Sequence, residues 1–230
     1  NWQCYSLCKM DFNYLQYTYY NLLGAQNGNP QSYNITSNIT LTPPTTRTGY
    51  TFAGWFDAEV AGNQVTNITA GTTGNLNLYA RWTANTYTIT FNTNGGTAID
   101  PLTVTYNQSF NLDDAVKTGY TFSEWQLSGT SFTEGVWTRT ANITIDAIYT
   151  ADTYTITFNT NGGTAITPMT VTYDQDFTLP VAVKTGYTYS EWQLDGVTFV
   201  SGTWTGTSNI TIDAIYTLNN YDIVYANLYS

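Results

Sequence analysis

From Tyr87 the chain alternates, with apolar Tyr87, Ile89 and Phe91 set against Thr88 and Thr90. A period of two marks a strand with one buried face. Asn94-Gly95-Gly96 follows and supplies residues that tolerate the positive φ of a tight turn. Leu102, Val104 and Tyr106 then alternate with Thr103 and Thr105, which predicts a second strand and a β-hairpin. Leu112 to Lys117 reads LDDAVK ahead of Thr118-Gly119. Early acids and a closing glycine predict one short helical turn there. Tyr120 to Leu127 is a third strand that changes phase: Tyr120 and Phe122 share one face, Trp125 and Leu127 the other. A bulge between Phe122 and Trp125 would return the large side chains to one side. The last strand sets Ile143, Ile145, Ala147 and Tyr149 against Thr144, Asp146 and Ile148.

The whole pattern recurs. Tyr87–Thr150 and Tyr154–Thr217 align without a gap at an offset of 67, with 48 of 64 positions identical. A fixed period of this kind is the signature of a repeat architecture. A more diverged copy lies upstream, where Gly49-Tyr50-Thr51-Phe52 with Trp55 matches Gly119-Tyr120-Thr121-Phe122 with Trp125. Tyr221-Asp222-Ile223-Val224-Tyr225 falls one period after Tyr154 and reads as the opening strand of a further unit. The expected organisation is therefore an unassigned segment 1–16, repeats at 17–83, 87–150 and 154–217, and an incomplete fourth repeat at 221–230. Two strands, a short crossover and two or more further strands suggest the fold class. It is β-rich α+β: a tandem array of small β-grasp-like modules, mostly antiparallel, each with one short helical turn. In the third copy Pro180 would have to sit in the first turn of that helix. Modules this small are marginal alone, so contact between neighbours should add stability.

Composition narrows the function. Hydrophobic residues make up 42% of the 230 and aromatics 16%, enough for packed cores. Sixteen acidic residues face six basic ones, a net charge of −10, which argues against nucleic acid or an anionic membrane as partner. Solubility rests on Thr, Asn, Ser and Tyr, a style that suits an extracellular protein. The absence of His excludes histidine metal sites and Ser-His or Cys-His nucleophile pairs. No apolar run approaches the ~18 residues of a membrane span. A first residue of Asn, without Met or a signal peptide, suits a mature protein or a piece of a longer one.

Candidate chemistry is sparse. Asp113-Asp114, and Asp174 with Asp176, offer oxygens for a cation, but the pairs occupy different sites in the two copies, so solvated turn carboxylates are expected. Asp146 and Asp213 stand mid-strand opposite the apolar face, where an exposed or edge-facing charge would discourage sheet-to-sheet pairing. Trp55, Trp125 and Trp192 follow aromatic strands at matched positions and should pack in cores. Trp137 and Trp204 lie in a more variable hairpin and are the candidate exposed aromatics. Lys117 and Lys184 sit in a Lys-Thr-Gly turn rather than on an early strand, which argues against a Lys–Asn isopeptide bond. Six Asn-x-Ser/Thr sequons occur, at Asn34, Asn38, Asn67, Asn107, Asn142 and Asn209, with Asn142 and Asn209 equivalent between copies. Cys4 and Cys8, at i,i+4 spacing, admit a disulfide that spacing alone does not decide.

The recurring Tyr-x-Ile-x-Phe strand, Asn-Gly-Gly, the Lys-Thr-Gly-Tyr-Thr-Phe/Tyr-x-x-Trp block and the closing Ile-x-Ala-x-Tyr/Trp-Thr strand resemble the Listeria–Bacteroides repeat family, the B-repeat type of the internalins. Ser123-Glu124, Ser190-Glu191 and Asp146-Ala147-Ile148 depart from the usual pattern. The resemblance implies a ubiquitin-like β-grasp fold on secreted, surface-attached proteins, where such repeats act as stalks or adhesive spacers. It implies no catalytic, cofactor or metal residues. The expected partners are neighbouring repeats or other copies of the chain, with a host or cell-surface protein or glycan as a further class. Two alternatives to the spacer stand: a filament subunit donating Tyr221, Ile223, Val224 and Tyr225 to a sheet of the next copy, and a glycan-binding module using Trp137 and Trp204.

Overall fold

Threonine, tyrosine, isoleucine and valine at alternate positions suit a pleated, half-buried surface, and the chain answers with strands. A computed structural model describes residues 14–223. The first repeat contains β1 (Leu15–Tyr20), β2 (Ser32–Tyr33), β3 (Ile39–Thr40), β4 (Tyr50–Phe56), β5 (Asn67–Ile68) and β6 (Leu76–Ala84). The second contains β7 (Thr86–Asn92), β8 (Leu102–Thr105), β9 (Ser109–Phe110), β10 (Tyr120–Leu127), β11 (Thr130–Phe132), β12 (Gly135–Val136) and β13 (Ile143–Ala151). The third contains β14 (Thr153–Asn159), β15 (Met169–Thr172), β16 (Asp176–Phe177), β17 (Tyr187–Leu194), β18 (Val197–Phe199), β19 (Gly202–Thr203) and β20 (Ile210–Leu218).

The third repeat shows the plan. Its sheet runs β15-β14-β20-β17-β18, with β14 and β20 parallel and the other neighbours antiparallel. A small ribbon of β16 and β19 accompanies it. The first repeat keeps a four-stranded version, β2-β1-β6-β4, again with a parallel central pair. In the second repeat β10 pairs with both β11 and β13, and β7 with β8. The fold divides into two compact units, and the division runs through the second repeat. One unit holds the described residues up to Thr90 with Pro101–Leu112 and Glu134–Ile143; the other holds Phe91–Asp100, Asp113–Thr133 and the described residues from Thr144 on.

The expected α+β class with a helical turn in each module is not what forms: among the described residues every regular element is a strand. The β-grasp expectation, which needs a helix across the sheet, falls with it. The stretch read as helical stays extended because its carbonyls are used elsewhere. Asp113 O accepts the Trp125 indole N–H at 3.0 Å, and Val116 O accepts the Thr97 N–H at 2.8 Å. In the third repeat Pro180 O accepts from Trp192 at 2.7 Å and Val183 O from Thr164 at 2.8 Å. Ala115 and Ala182, between these anchors, are buried. Carbonyls committed to distant donors cannot also close an i→i−4 ladder.

The predicted bulge is present. Ser123 is the extra residue between Phe122, opposite Tyr149, and Glu124, opposite Ile148. The same shift recurs between Phe52 and Gly54 and between Tyr189 and Glu191. The bulge brings Phe122 to 5.4 Å from Trp125, centroid to centroid, Phe52 to 5.5 Å from Trp55 and Tyr189 to 5.9 Å from Trp192. In the third repeat Ile156, Phe158, Val171, Ala182, Trp192, Trp204, Ile212 and Ala214 form the core. In the first, Tyr17, Tyr33, Leu41, Trp55, Ile68, Leu78 and Ala80 do so. Each fully buried Ile156- or Ile212-sized side chain contributes about 1.5–3 kcal/mol.

Candidate functional site

A Lys/Arg-Thr-Gly-Tyr turn opens the long bulged strand of every repeat, at Arg47–Tyr50, Lys117–Tyr120 and Lys184–Tyr187. The glycines adopt φ of +75°, +76° and +81°, which side-chain-bearing residues rarely adopt. The cation lies over the tyrosine ring: Arg47 at 3.6 Å from the Tyr50 centroid, Lys117 at 4.2 Å from Tyr120, Lys184 at 4.4 Å from Tyr187. Lys117 Nζ and Lys184 Nζ also donate to the backbone carbonyls of Asn94 and Asn161, tying this turn to the Asn-Gly-Gly turn.

Each turn meets the spacer that follows its repeat. The N–H groups of Asn85, Asp152 and Asn219 donate to the carbonyls of Gly49, Gly119 and Gly186, all at 2.9 Å. Their side-chain oxygens accept from the hydroxyls of Thr51, Thr121 and Thr188, all at 2.6 Å. The carbonyls of Asn85 and Asp152 in turn accept the N–H of Tyr106 and Tyr173, in the following repeat, at 2.9 Å. The rings of those tyrosines lie directly on Gly49 and Gly119, where a Cβ would stand only 2.3 Å from the ring carbons. They also meet Tyr50 and Tyr120 edge-on at 5.4 and 5.5 Å. Each junction falls wholly inside one of the two compact units.

A cleft opens beside each ring, of about 430 Å³ along Arg47, Tyr50 and Tyr106 and about 530 Å³ along Lys117, Tyr120 and Tyr173. In the second cleft the Tyr120 hydroxyl donates to Asp174 at 3.3 Å. Desolvation, and then the neighbouring Asp174 charge, push the Tyr120 pKa up.

The individual candidates fare differently. Trp137 and Trp204, the candidate exposed aromatics, are 1% and 3% exposed. Two backbone bonds fold the hairpin back and carry each ring inward: Trp137 N to Gln108 O with Asn107 N to Trp137 O, and the same pair at Trp204. Trp55, Trp125 and Trp192 are buried. Asp213 lies half-buried on β20, the central strand of its sheet, so it faces no sheet edge. Its carboxylate accepts from Asn159 at 2.5 Å, as Asp146 does from Asn92 at 2.7 Å. Asn142 and Asn209 are exposed, and their carbonyl oxygens accept the N–H of Thr88 and Thr155. Asn75 does the same for Gln16, a recurring cap of the parallel ladder. Tyr221 and Ile223 are exposed at 78% and 77% and lie in no strand, whereas Val224 and Tyr225 are outside the described residues, as are Cys4 and Cys8. Among the described residues no group of three or more acids or cysteines is placed to hold a metal, and no helix is long and apolar enough to cross a membrane.

The junction residues escaped the sequence reading as a set, although Lys-Thr-Gly-Tyr was visible as a recurring block. Tyr106 and Tyr173 continue the alternation of their strands and give no sign that they seat in another repeat.

The family model of the Listeria–Bacteroides repeat domain matches three times, at residues 18–81, 87–148 and 154–218. Similar proteins include one of Evansella cellulosilytica named as a membrane protein, 29% identical over 195 residues, or 80% of this chain and 29% of the relative. A second from the same organism, named as a Gly-rich membrane protein, is 25% identical over 82% of this chain and 23% of its own length. Internalin H of Listeria monocytogenes is 36% identical over 113 residues, 46% of this chain and 20% of the relative. The chain thus spans between a fifth and a third of the length of these relatives.

Proposed function

We propose that this chain, which belongs to the Listeria–Bacteroides repeat family, is a repeat region of a cell-surface protein and serves there as a structural or adhesive spacer. The observation that carries this reading is the joint. The same spacer-to-glycine and tyrosine-to-spacer bonds, the same ring-on-glycine contact and the same cation over a tyrosine recur at both junctions. Repetition of one joint propagates a geometry and adds stability between neighbours. It gives no reason for a single reaction centre. Relatives named as membrane proteins and as an internalin support placement at the cell envelope. The net charge of −10 keeps such a region soluble and free of nucleic acid.

The test is surface labelling of intact cells that make the protein, with antibody raised against the 230-residue chain. Label that external protease removes is the expected result. Label that appears only after lysis would overturn the placement.

A further inference from the structure

The third repeat ends in the device that joins the repeats before it. Asn219 already bonds Gly186 O through its N–H and Thr188 through its side chain, with the lengths found at Asn85 and Asp152. Gly186 holds φ +81°, and Lys184 covers the Tyr187 ring. The difference lies on the glycine. Where Gly49 and Gly119 carry the rings of Tyr106 and Tyr173, no described atom lies within 4 Å of a Cβ placed on Gly186. Tyr187 is correspondingly 38% exposed, while Tyr50 and Tyr120 are half-buried. Leu218, where Ala84 and Ala151 stand at the other junctions, is 61% exposed and adds apolar surface beside the glycine.

We propose that Gly186, Tyr187, Leu218 and Asn219 form a preorganised docking socket for a further repeat of this family carried on the same polypeptide after Asn220, which seats a tyrosine ring on Gly186 and donates that tyrosine's N–H to Asn219 O. The occupant follows from continuity: two sockets built on the same glycine–tyrosine pair and spacer bonds are filled in this molecule, both by the tyrosine that follows the second strand of the next repeat. A tyrosine suits the place because its flat face needs a residue without a Cβ beneath it. Its ring edge also gains a T-shaped contact with Tyr187. The positive-φ glycine and the bonded spacer are in place before docking, so little ordering remains to oppose it. The inference concerns how repeats join and is independent of where the protein sits in the cell.

The test compares the 230-residue chain with one in which residues 221–230 are replaced by a second copy of 154–220. Gly186→Ala is introduced into both. The φ penalty of alanine is common to the two chains, so the excess in the extended chain isolates the seated ring. The expected excess is on the order of tenfold in the unfolding equilibrium, read from urea midpoints, and Tyr173→Ala in the appended copy alone should abolish it. Should Gly186→Ala prevent folding, the Tyr187 ring resonances of the two parent chains serve instead; they should shift on extension and return with the same tyrosine substitution. An equal cost of Gly186→Ala in both chains, an excess that survives loss of the appended tyrosine, or unshifted Tyr187 resonances would overturn the socket.

Discussion

Single residues carry much of what distinguishes these repeats. Gly119→Ala would drive a Cβ into the Tyr173 ring and also strain φ, so it should cost at least about 2 kcal/mol, measured by urea denaturation. Trp192→Ala empties the centre of the third core and should cost about 3–5 kcal/mol. Tyr17 tests the first core differently. Its hydroxyl is buried without a hydrogen-bond partner among the described residues, and burial, aided by nearby Tyr19 and Tyr33, pushes its pKa up to about 12. The folded state therefore holds the proton more tightly than the unfolded chain, whose tyrosine titrates near 10. This contribution is fully present below pH ~10 and is lost as pH rises from there through the folded value near 12. Tyr17→Phe should flatten that alkaline loss, as followed by thermal melts across the range. The tryptophans show where residue-level reading stops. Trp55, Trp125 and Trp192 betray their burial by standing beside aromatic strands, but Trp137 and Trp204 are buried by backbone bonds to Gln108 and Gln175, partners that a variable hairpin does not announce.

Among the elements, alternation gave away the strands and the phase change gave away the bulge. Deleting Ser190 would remove the extra residue and send Trp192 to the opposite face. Loss of near-ultraviolet tryptophan signal in the third repeat is the expected outcome. The short helical turn was misread because its local cues, early acids and a following glycine, were real but weaker than two long-range bonds. The Trp125 and Trp192 indoles and the Thr97 and Thr164 amides claim its carbonyls. The asparagines of the Asn142 and Asn209 sequons also have a structural task, since their side-chain oxygens accept the N–H of Thr88 and Thr155, a bond that Asn75, which is in no sequon, makes with Gln16. Asn209→Ala should cost about 1 kcal/mol, read as a lower urea midpoint with faster exchange of the Thr155 amide.

For the molecule as a whole, the period of 67 was plain in the sequence, yet the compact units do not follow it. The division passes through the second repeat, because each junction ties part of that repeat to a neighbour. Truncation after Asp152 should therefore weaken what remains: it removes Tyr173 from Gly119 and the bond from Tyr173 N to Asp152 O. The urea midpoint of the shortened chain should fall, with the largest loss of amide protection around Gly119 and Tyr120. An unchanged midpoint would mean that the joints contribute nothing to stability.

The spacer residue at each joint is Asn85 or Asp152, and its role needs only one backbone N–H, one backbone carbonyl and one side-chain oxygen. Nothing in that set depends on which repeat precedes or follows. A gene built of such segments can gain or lose one by unequal recombination, and the protein that results still has matching ends at every boundary. The length of the array is thereby a quantity that selection can tune without redesigning a single interface.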